Sequence, residues 1–366
     1  RYDVEIFAIG SDWEGKFDYL NEYCEVVYLP RTEGISSTML REQTEEVYRI
    51  GIVGSGRIAK RFVPETRFVN SAVVTAVYNP NKESAEVFGK QFGVKAFSDK
   101  YDDFLNEVDA VYVASPHSTH YEYTKLSLYA GKHVLCEKPI TITPEEFTEL
   151  CELAERKNLV YTEAIMMLHL SQRKIIKKKL ESLGKISTAH FDFSQLSSKY
   201  PALLRGENPN IFNPEMKTGC LRDLGIYCFY PAIDFFGEPE KIISSAGFLS
   251  TGADGYGTAI LDYADKQVTL TYSKIGQDYL GSQIIGDKGT MTFGSISKLT
   301  DVEICYSDGA KEKLVGEVEK HVLMSEEAKD FYDYICGSNS DLKKINAEIL
   351  SVLRAMNTVI IHCNII

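Results

Sequence analysis

The chain has 366 residues, 44% of them hydrophobic, with 40 Lys and Arg against 52 Asp and Glu for a formal net charge of −12. That length exceeds one ordinary core and fits two or three domains. The negative charge argues against a nucleic-acid or anionic-membrane surface, and no apolar run reaches the roughly 20 residues that span a bilayer.

Residues 4–8 (VEIFA) and 25–29 (EVVYL) read as short strands, with a helix over Trp13–Tyr23 between them. RTEGISST (31–38) follows as a loop and Met39–Glu46 as a further helix. A segment of this size with two strands cannot bury a core alone. From Tyr48, strand and helix alternate. Arg49–Val53, Val73–Tyr78, Ala110–Ala114, His133–Cys136 and Leu159–Glu163 are apolar runs of strand length. Ser84–Phe92, Tyr101–Glu107, Tyr121–Ala130 and Pro144–Lys157 carry the helical pattern. Such alternation predicts a doubly wound parallel sheet.

After about residue 184 the pattern changes. Ser187–Ser194, Lys241–Phe248, Thr258–Asp262, Gln267–Ser273, Gln283–Gly286, Thr290–Phe293 and Val302–Tyr306 read as strands, joined in places by tight turns such as DYADKQ and GDKGT. A large, mostly antiparallel open sheet in an α+β domain is expected. Helices return at Ser325–Cys336 and Ile345–Ile361. The expected divisions are 1–47, 48–165, 166–325 and 326–366, the last packing back on the body.

Eight cysteines, at 24, 136, 151, 220, 228, 305, 336 and 363, form no CxxC pair. No metal site and no disulfide scaffold is expected, and the thiols read as the packed, reduced groups of a cytoplasmic protein. The chain opens at Arg1, without Met and without an apolar leader, and reads as part of a longer product.

Gly54-Ser55-Gly56-Arg57-Ile58-Ala59 is a GxGxxA sequence directly after a strand and at the start of a helix. Gly54 permits the tight turn, Gly56 lets a pyrophosphate approach the backbone, and Ala59 lets helix and sheet pack closely. The helix N-terminus offers N–H groups to the phosphates. The second strand ends VYNPNK. Asn79 stands where a carboxylate would bind a ribose 2′-hydroxyl, and Lys82 follows, which favours NADP over NAD.

Two further stretches matter: ASPHSTHYEYTKLSLYAGKHVLCEKP (114–139) and KTGCLRDLGIYCFYPAIDFFG (217–237). With GSGRIA they resemble the Gfo/Idh/MocA oxidoreductases, over about residues 48–366. The resemblance implies a Rossmann domain, an open-sheet domain that floors the substrate site, and reversible hydride transfer between NAD(P) and a sugar, polyol or related hydroxyl. It implies Lys138 of EKP between nicotinamide and substrate, with Asp223 and Tyr227 of DLGIY facing it. Many relatives carry His where Tyr227 stands; the Tyr form is similar to dihydrodiol dehydrogenase and glucose–fructose oxidoreductase, which tend to use NADP. It places Ser115, Pro116 and His117 beside a ribose, and Glu137 at the nicotinamide-side ribose. His120 heads the following helix as a cofactor contact or as a structural group. Relatives pair through the open sheet, so a homodimer or homotetramer is expected.

Hydride leaves a carbinol carbon only if the hydroxyl proton is removed. Tyr227 could take it, although a free phenol has a pKa of about 10. A Lys138 ammonium nearby would favour phenolate and stabilise an alkoxide. Asp223 would hold Lys138 or the substrate hydroxyl. The sequence leaves open which of Lys138 and Tyr227 passes the proton. His169 reads as a packed or solvated group rather than a substrate contact. Residues 198–216 (SKYPALLRGENPNIFNPEM) read as a long loop near the cleft, with Lys199 and Arg205 as exposed charges or anion contacts.

The opening segment resembles the C-terminal third of glycerol-3-phosphate cytidylyltransferase, in GSDWEGKFDYL and YLPRTEGISST. The resemblance implies a nucleotidyltransferase-like fragment with Arg31, Ser36, Ser37 and Thr38 as phosphate contacts. The HxGH signature of that family is absent, so the fragment is not expected to transfer nucleotides alone. Two other readings remain: a cytidylyltransferase–oxidoreductase fusion acting on polyol phosphates, and a cofactor-binding regulator without catalysis.

Overall fold

The computed structural model describes residues 6–10, 14–29, 47–69, 72–318 and 323–365. The chain divides into two units, Arg1–Val47 and Tyr48–Ile366. In the first, β1 (Ile6–Gly10) and β2 (Glu25–Leu29) pair in parallel, Ile6 opposite Glu25. Where a helix is expected over Trp13–Tyr23, the described residues 14–23 make a 3₁₀ turn at Asp18–Glu22. Gly15 at φ +80° breaks the helical path. The Tyr28 hydroxyl donates to Asp18 at 2.7 Å and accepts the Phe17 N–H at 3.1 Å. Residues 6–8, 14–29 and 47 of this unit are exposed or half-buried. RTEGISST, with Arg31, Ser36, Ser37 and Thr38, and the helix expected at Met39–Glu46 lie outside the described residues.

The second unit opens with a six-stranded, wholly parallel sheet. Its strands are β3 (Tyr48–Val53), β4 (Ala72–Tyr78), β5 (Lys95–Phe97), β6 (Ala110–Val113), β7 (His133–Glu137) and β8 (Tyr161–Ala164), in the order β5-β4-β3-β6-β7-β8. Helices Arg57–Glu65, Lys82–Phe92, Tyr101–Leu105, His120–Tyr129 and Pro144–Arg156 connect them. β6, β7 and β8 are buried along almost their whole length, as a sheet covered on both faces requires. Local chemistry sets the helix ends. Asn81 accepts the Ser84 N–H, Gly93 closes the same helix at φ +72°, and Thr143 with Glu146 forms a capping box ahead of Pro144. β5 was not legible in sequence, because three residues are too short to show a period.

The order reverses between β3 and β6, so a crevice opens at their carboxyl ends. Gly54 and Ala114 meet there: a Cβ on Gly54, at φ +101°, would lie 2.5 Å from the Ala114 carbonyl oxygen.

The second sheet has eight strands: β9 (Ile186–Ser194), β10 (Lys241–Phe248), β11 (Asp254–Asp262), β12 (Gln267–Ser273), β13 (Ser282–Gly286), β14 (Gly289–Ser295), β15 (Thr300–Tyr306) and β16 (Lys311–Val315). Their order is β10-β11-β12-β9-β13-β14-β15-β16. Every pairing is antiparallel except β9 with β12. Helices Ile226–Phe236 and Leu342–Cys363 contribute Phe229, Ile233, Val352 and Met356 to the same core as Phe191, Leu261 and Leu270 of this sheet. Helix Ser325–Ile335 instead packs Ala328 and Phe331 with Phe62 of helix Arg57–Glu65 and Ile52 of the first sheet. Residues 198–216 are not a plain loop: they hold a helix at Tyr200–Leu204 and 3₁₀ turns at Asn210–Phe212 and Pro214–Met216.

Candidate active site

β7 ends in Glu137, and the chain continues through Lys138 and a cis Lys138–Pro139 peptide. Lys138 Nζ donates to Asp223 Oδ1 at 2.7 Å and to the Asp223 carbonyl at 2.8 Å. Asp223 sits in a π-helical turn, Leu221–Gly225, that runs into helix Ile226–Phe236. One wide turn therefore brings Asp223 and Tyr227 together toward the same ammonium, a distortion common at functional sites. The turn is held from β11: Asp254 accepts the Leu221 N–H at 2.7 Å. A Cβ on Gly219, at φ +137°, would lie 2.0 Å from Asp254 Oδ1. The Tyr227 ring lies between Lys138 Nζ, 4.9 Å from its centroid, and Phe193 of β9, edge-on at 5.0 Å.

The electrostatics follow from burial and pairing. Burial works against the Lys138 charge, but Asp223 and Tyr227 outweigh it and hold the ammonium above its ordinary range. Burial likewise opposes the Asp223 carboxylate, and Lys138 together with Lys274 still keeps it well below the usual carboxylate range. Burial is the larger influence on the Tyr227 phenol and leaves it above its ordinary value, although Lys138 pulls it down as expected. His117 is brought down to about 3, chiefly by burial, and is neutral. Its Nδ1 lies 3.4 Å from the Lys217 carbonyl.

At the Gly-rich turn, helix Arg57–Glu65 has Gly56 as its N-cap, with no side chain capping the first N–H groups. A Cβ on Gly56 would meet nothing within 4 Å. Open space above uncapped N–H groups fits a dinucleotide pyrophosphate. Arg57 and Ile58 open that helix, and Arg57 also lines the cleft beside Asp223. Asn79 donates to the Ser55 hydroxyl at 2.7 Å, so it also braces the turn. Lys82 is exposed beside Glu86 at 3.9 Å. The Ser115 hydroxyl accepts a hydrogen bond from Thr119 at 2.8 Å, and Pro116 is exposed. Glu137 accepts from the Tyr112 hydroxyl and, at 3.2 Å, from the Lys138 N–H; burial raises its pKa.

His120 is fully buried. Its nitrogens face the Pro139 and Ser115 carbonyls at 2.8 and 2.9 Å, so it ties two loops together. His169 lies away from this site, 3.0 Å from Asp330. Arg205 pairs with Glu207 on the surface at 2.7 Å, while Lys199 lines the cleft.

The cleft beside Asp223 has a volume of about 1020 Å³. Arg57, Ser197, Lys199, Asn208, Asn210 and Gln277 are among its polar walls. The residue that sequence reading missed is Lys274, just past β12. Its Nζ stands 3.2 Å from Asp223 Oδ2, with 1% of the side chain exposed. Nothing in TLTYSKIGQ marks it, and only the strand register brings it here. Among the described residues, no group of His, Cys, Asp and Glu is placed to hold a metal ion.

A Gly-rich phosphate cradle at a sheet switch point, beside a Lys–Asp–Tyr cluster on a polar cleft, defines a nicotinamide-dependent oxidoreductase of two sheets. Residues 48–165 match the family model described as "Oxidoreductase family, NAD-binding Rossmann fold", and 173–292 match that of the GFO/IDH/MocA C-terminal domain. The chain is 37% identical over 268 residues to scyllo-inositol 2-dehydrogenase (NADP(+)) IolU of Bacillus subtilis, covering 73% of this chain and 82% of that one. It is 33% identical over 261 residues to the uncharacterized oxidoreductase YgjR of Escherichia coli, covering 70% and 79%. Among solved structures, the 3-ketoreductase KijD10 of Actinomadura kijaniata, with NADP and TDP-benzene, matches at a TM-score of 0.74 and 23% identity, over 85% of this chain and 97% of that one. The chain belongs to the Gfo/Idh/MocA oxidoreductase family and acts on CH–OH groups with NADP or NAD. These matches leave the resemblance of residues 1–46 to a cytidylyltransferase, and the fusion and regulator readings, without support.

Proposed function

We propose that this chain is an NADP-preferring dehydrogenase or reductase of a polyol or sugar, with Lys138, Asp223 and Tyr227 at the reacting carbon. The observation that carries the reading is the cluster itself: one buried ammonium held by Asp223 and lying against the ring of Tyr227, at the edge of a polar cleft. NAD(P) supplies the acceptor or donor of the hydride, and the proton steps fall to the chain. The Tyr227 phenol stays protonated at neutral pH, because burial raises it. It is therefore a proton donor to a carbonyl oxygen in reduction; in oxidation the phenol first releases its own proton to solvent, and the phenolate, stabilised by the Lys138 charge, then takes the hydroxyl proton as the hydride leaves. Lys138 spends two N–H groups on Asp223 and has a third for the substrate oxygen.

Support for NADP comes from Asn79, which puts no carboxylate at the end of β4, and from the names of the relatives, IolU and KijD10. The substrate class rests on the hydrogen-bonding walls of the cleft, Ser197, Asn208, Asn210 and Gln277 among them, and on IolU, which is named for scyllo-inositol. The same reading expects a homodimer or homotetramer in the cytoplasm.

The test is a panel of inositols, other polyols and sugars with NADP and NAD, read at the nicotinamide absorbance. Lys138→Ala and Tyr227→Phe should each lower kcat by about 10²–10⁴ while the chain keeps its melting temperature within a few degrees. Wild-type rates in both variants would remove the assignment.

A further inference from the structure

Lys274 is a buried charge at the site that the reaction so far leaves unused. Asp223 has two carboxylate oxygens and two lysines: Oδ1 takes Lys138 at 2.7 Å, and Oδ2 faces Lys274 at 3.2 Å. Lys274 Nζ also donates to the Ile211 carbonyl at 3.2 Å, with the Phe212 ring 5.9 Å away. Ile211 belongs to the segment 198–216 that walls the cleft. The backbone of Lys274 is pinned on both sides: its N–H donates to the Gly255 carbonyl at 2.9 Å, and its carbonyl accepts the Ser197 N–H at 2.9 Å.

Placing a second ammonium in a buried site beside the first is unfavourable unless a counter-ion serves both. A carboxylate held at one oxygen can still swing about its Cβ–Cγ bond. Held at both, it presents its first oxygen, and the lysine on it, in a single direction. We propose that Lys274 is a positioning residue of the hydride-transfer reaction. It locks Asp223 so that Lys138 meets the substrate oxygen in one orientation, and it couples that lock through Ile211 to the wall of the cleft. The proposal rests on the reading of Lys138, Asp223 and Tyr227 given above.

Loss of Lys274 has two consequences. Asp223 loses one of the two charges that hold its carboxyl low. The other groups facing this cluster include His117, Tyr227, Glu137, Cys220 and Asp254, and the cation Arg222 acts on Asp254. The wall segment also loses the tie at Ile211.

The experiment uses the full chain, NADP and whichever polyol of the panel the wild type oxidises fastest. In Lys274→Met, kcat should fall about tenfold or more with a smaller change in KM, since an orientation in the bound complex is lost. Lys274→Arg keeps a cation on Asp223 and should recover at least part of that kcat with KM near its wild-type value. A wild-type kcat in Lys274→Met, or a kcat in Lys274→Arg no higher than in Lys274→Met, would overturn the proposal. If Lys274→Met does not fold, the neutral Lys274→Gln is read by the same comparison of kcat and KM. A wild-type chain that oxidises none of the polyols defeats the substrate reading and not this one. In that case native-state trypsin decides: cleavage after Arg205 should be faster in Lys274→Met, and an unchanged rate removes the proposal.

Discussion

Glu163 shows what a single buried carboxyl does to this molecule. It lies at the end of β8, fully buried, accepting the Ile140 N–H at 2.6 Å and facing the Tyr230 hydroxyl. Burial, with Glu137 adding repulsion, raises its pKa to about 8. An unfolded glutamate releases its proton near about pH 4.3. Between those values the folded chain binds a proton that the unfolded chain has lost, so stability falls as pH rises through the window and levels off above it. Glu163→Gln mimics the protonated form. The variant should match the wild type near pH 5 and exceed it by more than about 1 kcal/mol at pH 8 in urea melts. A constant difference across that range would show that Glu163 is ionised in the folded chain. Legibility at this scale depended on motif. Lys138, Asp223 and Tyr227 could be picked out because EKP and DLGIY flank them. Glu163 and Lys274 could not, because their roles come from what the fold packs beside them.

Elements carry the next level of constraint. Gly54 joins β3 to helix Arg57–Glu65 at φ +101°, with the Ala114 carbonyl where a Cβ would go. Gly54→Ala therefore meets both a disfavoured backbone region and a collision with β6's exit. NADP titration by fluorescence should show affinity reduced by about tenfold or more, with a stability loss of about 1–3 kcal/mol. Unchanged affinity would mean that the turn is not the cofactor's seat. The alternation of strand and helix made the parallel sheet readable, because its strands are long apolar runs. β5 escaped through brevity, and β16 because Lys311–Val315 reads as a run of charges. The π-helical turn at Leu221–Gly225 left no mark either, since its cause lies in Asp254 on another element.

On the scale of the whole molecule, two sheets of different character share one unit, and the residues that meet in the site come from both. Lys138 leaves the parallel sheet, Asp223 and Tyr227 enter from the helix under the antiparallel one, and Lys274 leaves its middle. Neither sheet alone assembles the site, which is why sequence motifs could name its members without giving their geometry.

The antiparallel sheet also dictates an order of assembly. β9 is its seam: one edge pairs with β12 from Gln267 onward and the other with β13 from Gln283, while β10-β11-β12 and β14-β15-β16 are closed by short local connections. Distant pairing closes large loops and is slow, whereas hairpins form in about 1–10 μs. During refolding, amides of β11 and β15 should gain protection from hydrogen exchange before those of β9, in pulse-labelling experiments. Simultaneous protection of all three would mean the sheet forms as one piece. Until that seam closes, Lys274 and Phe193 stand apart from Asp223 and Tyr227, so activity should return only with the slowest phase.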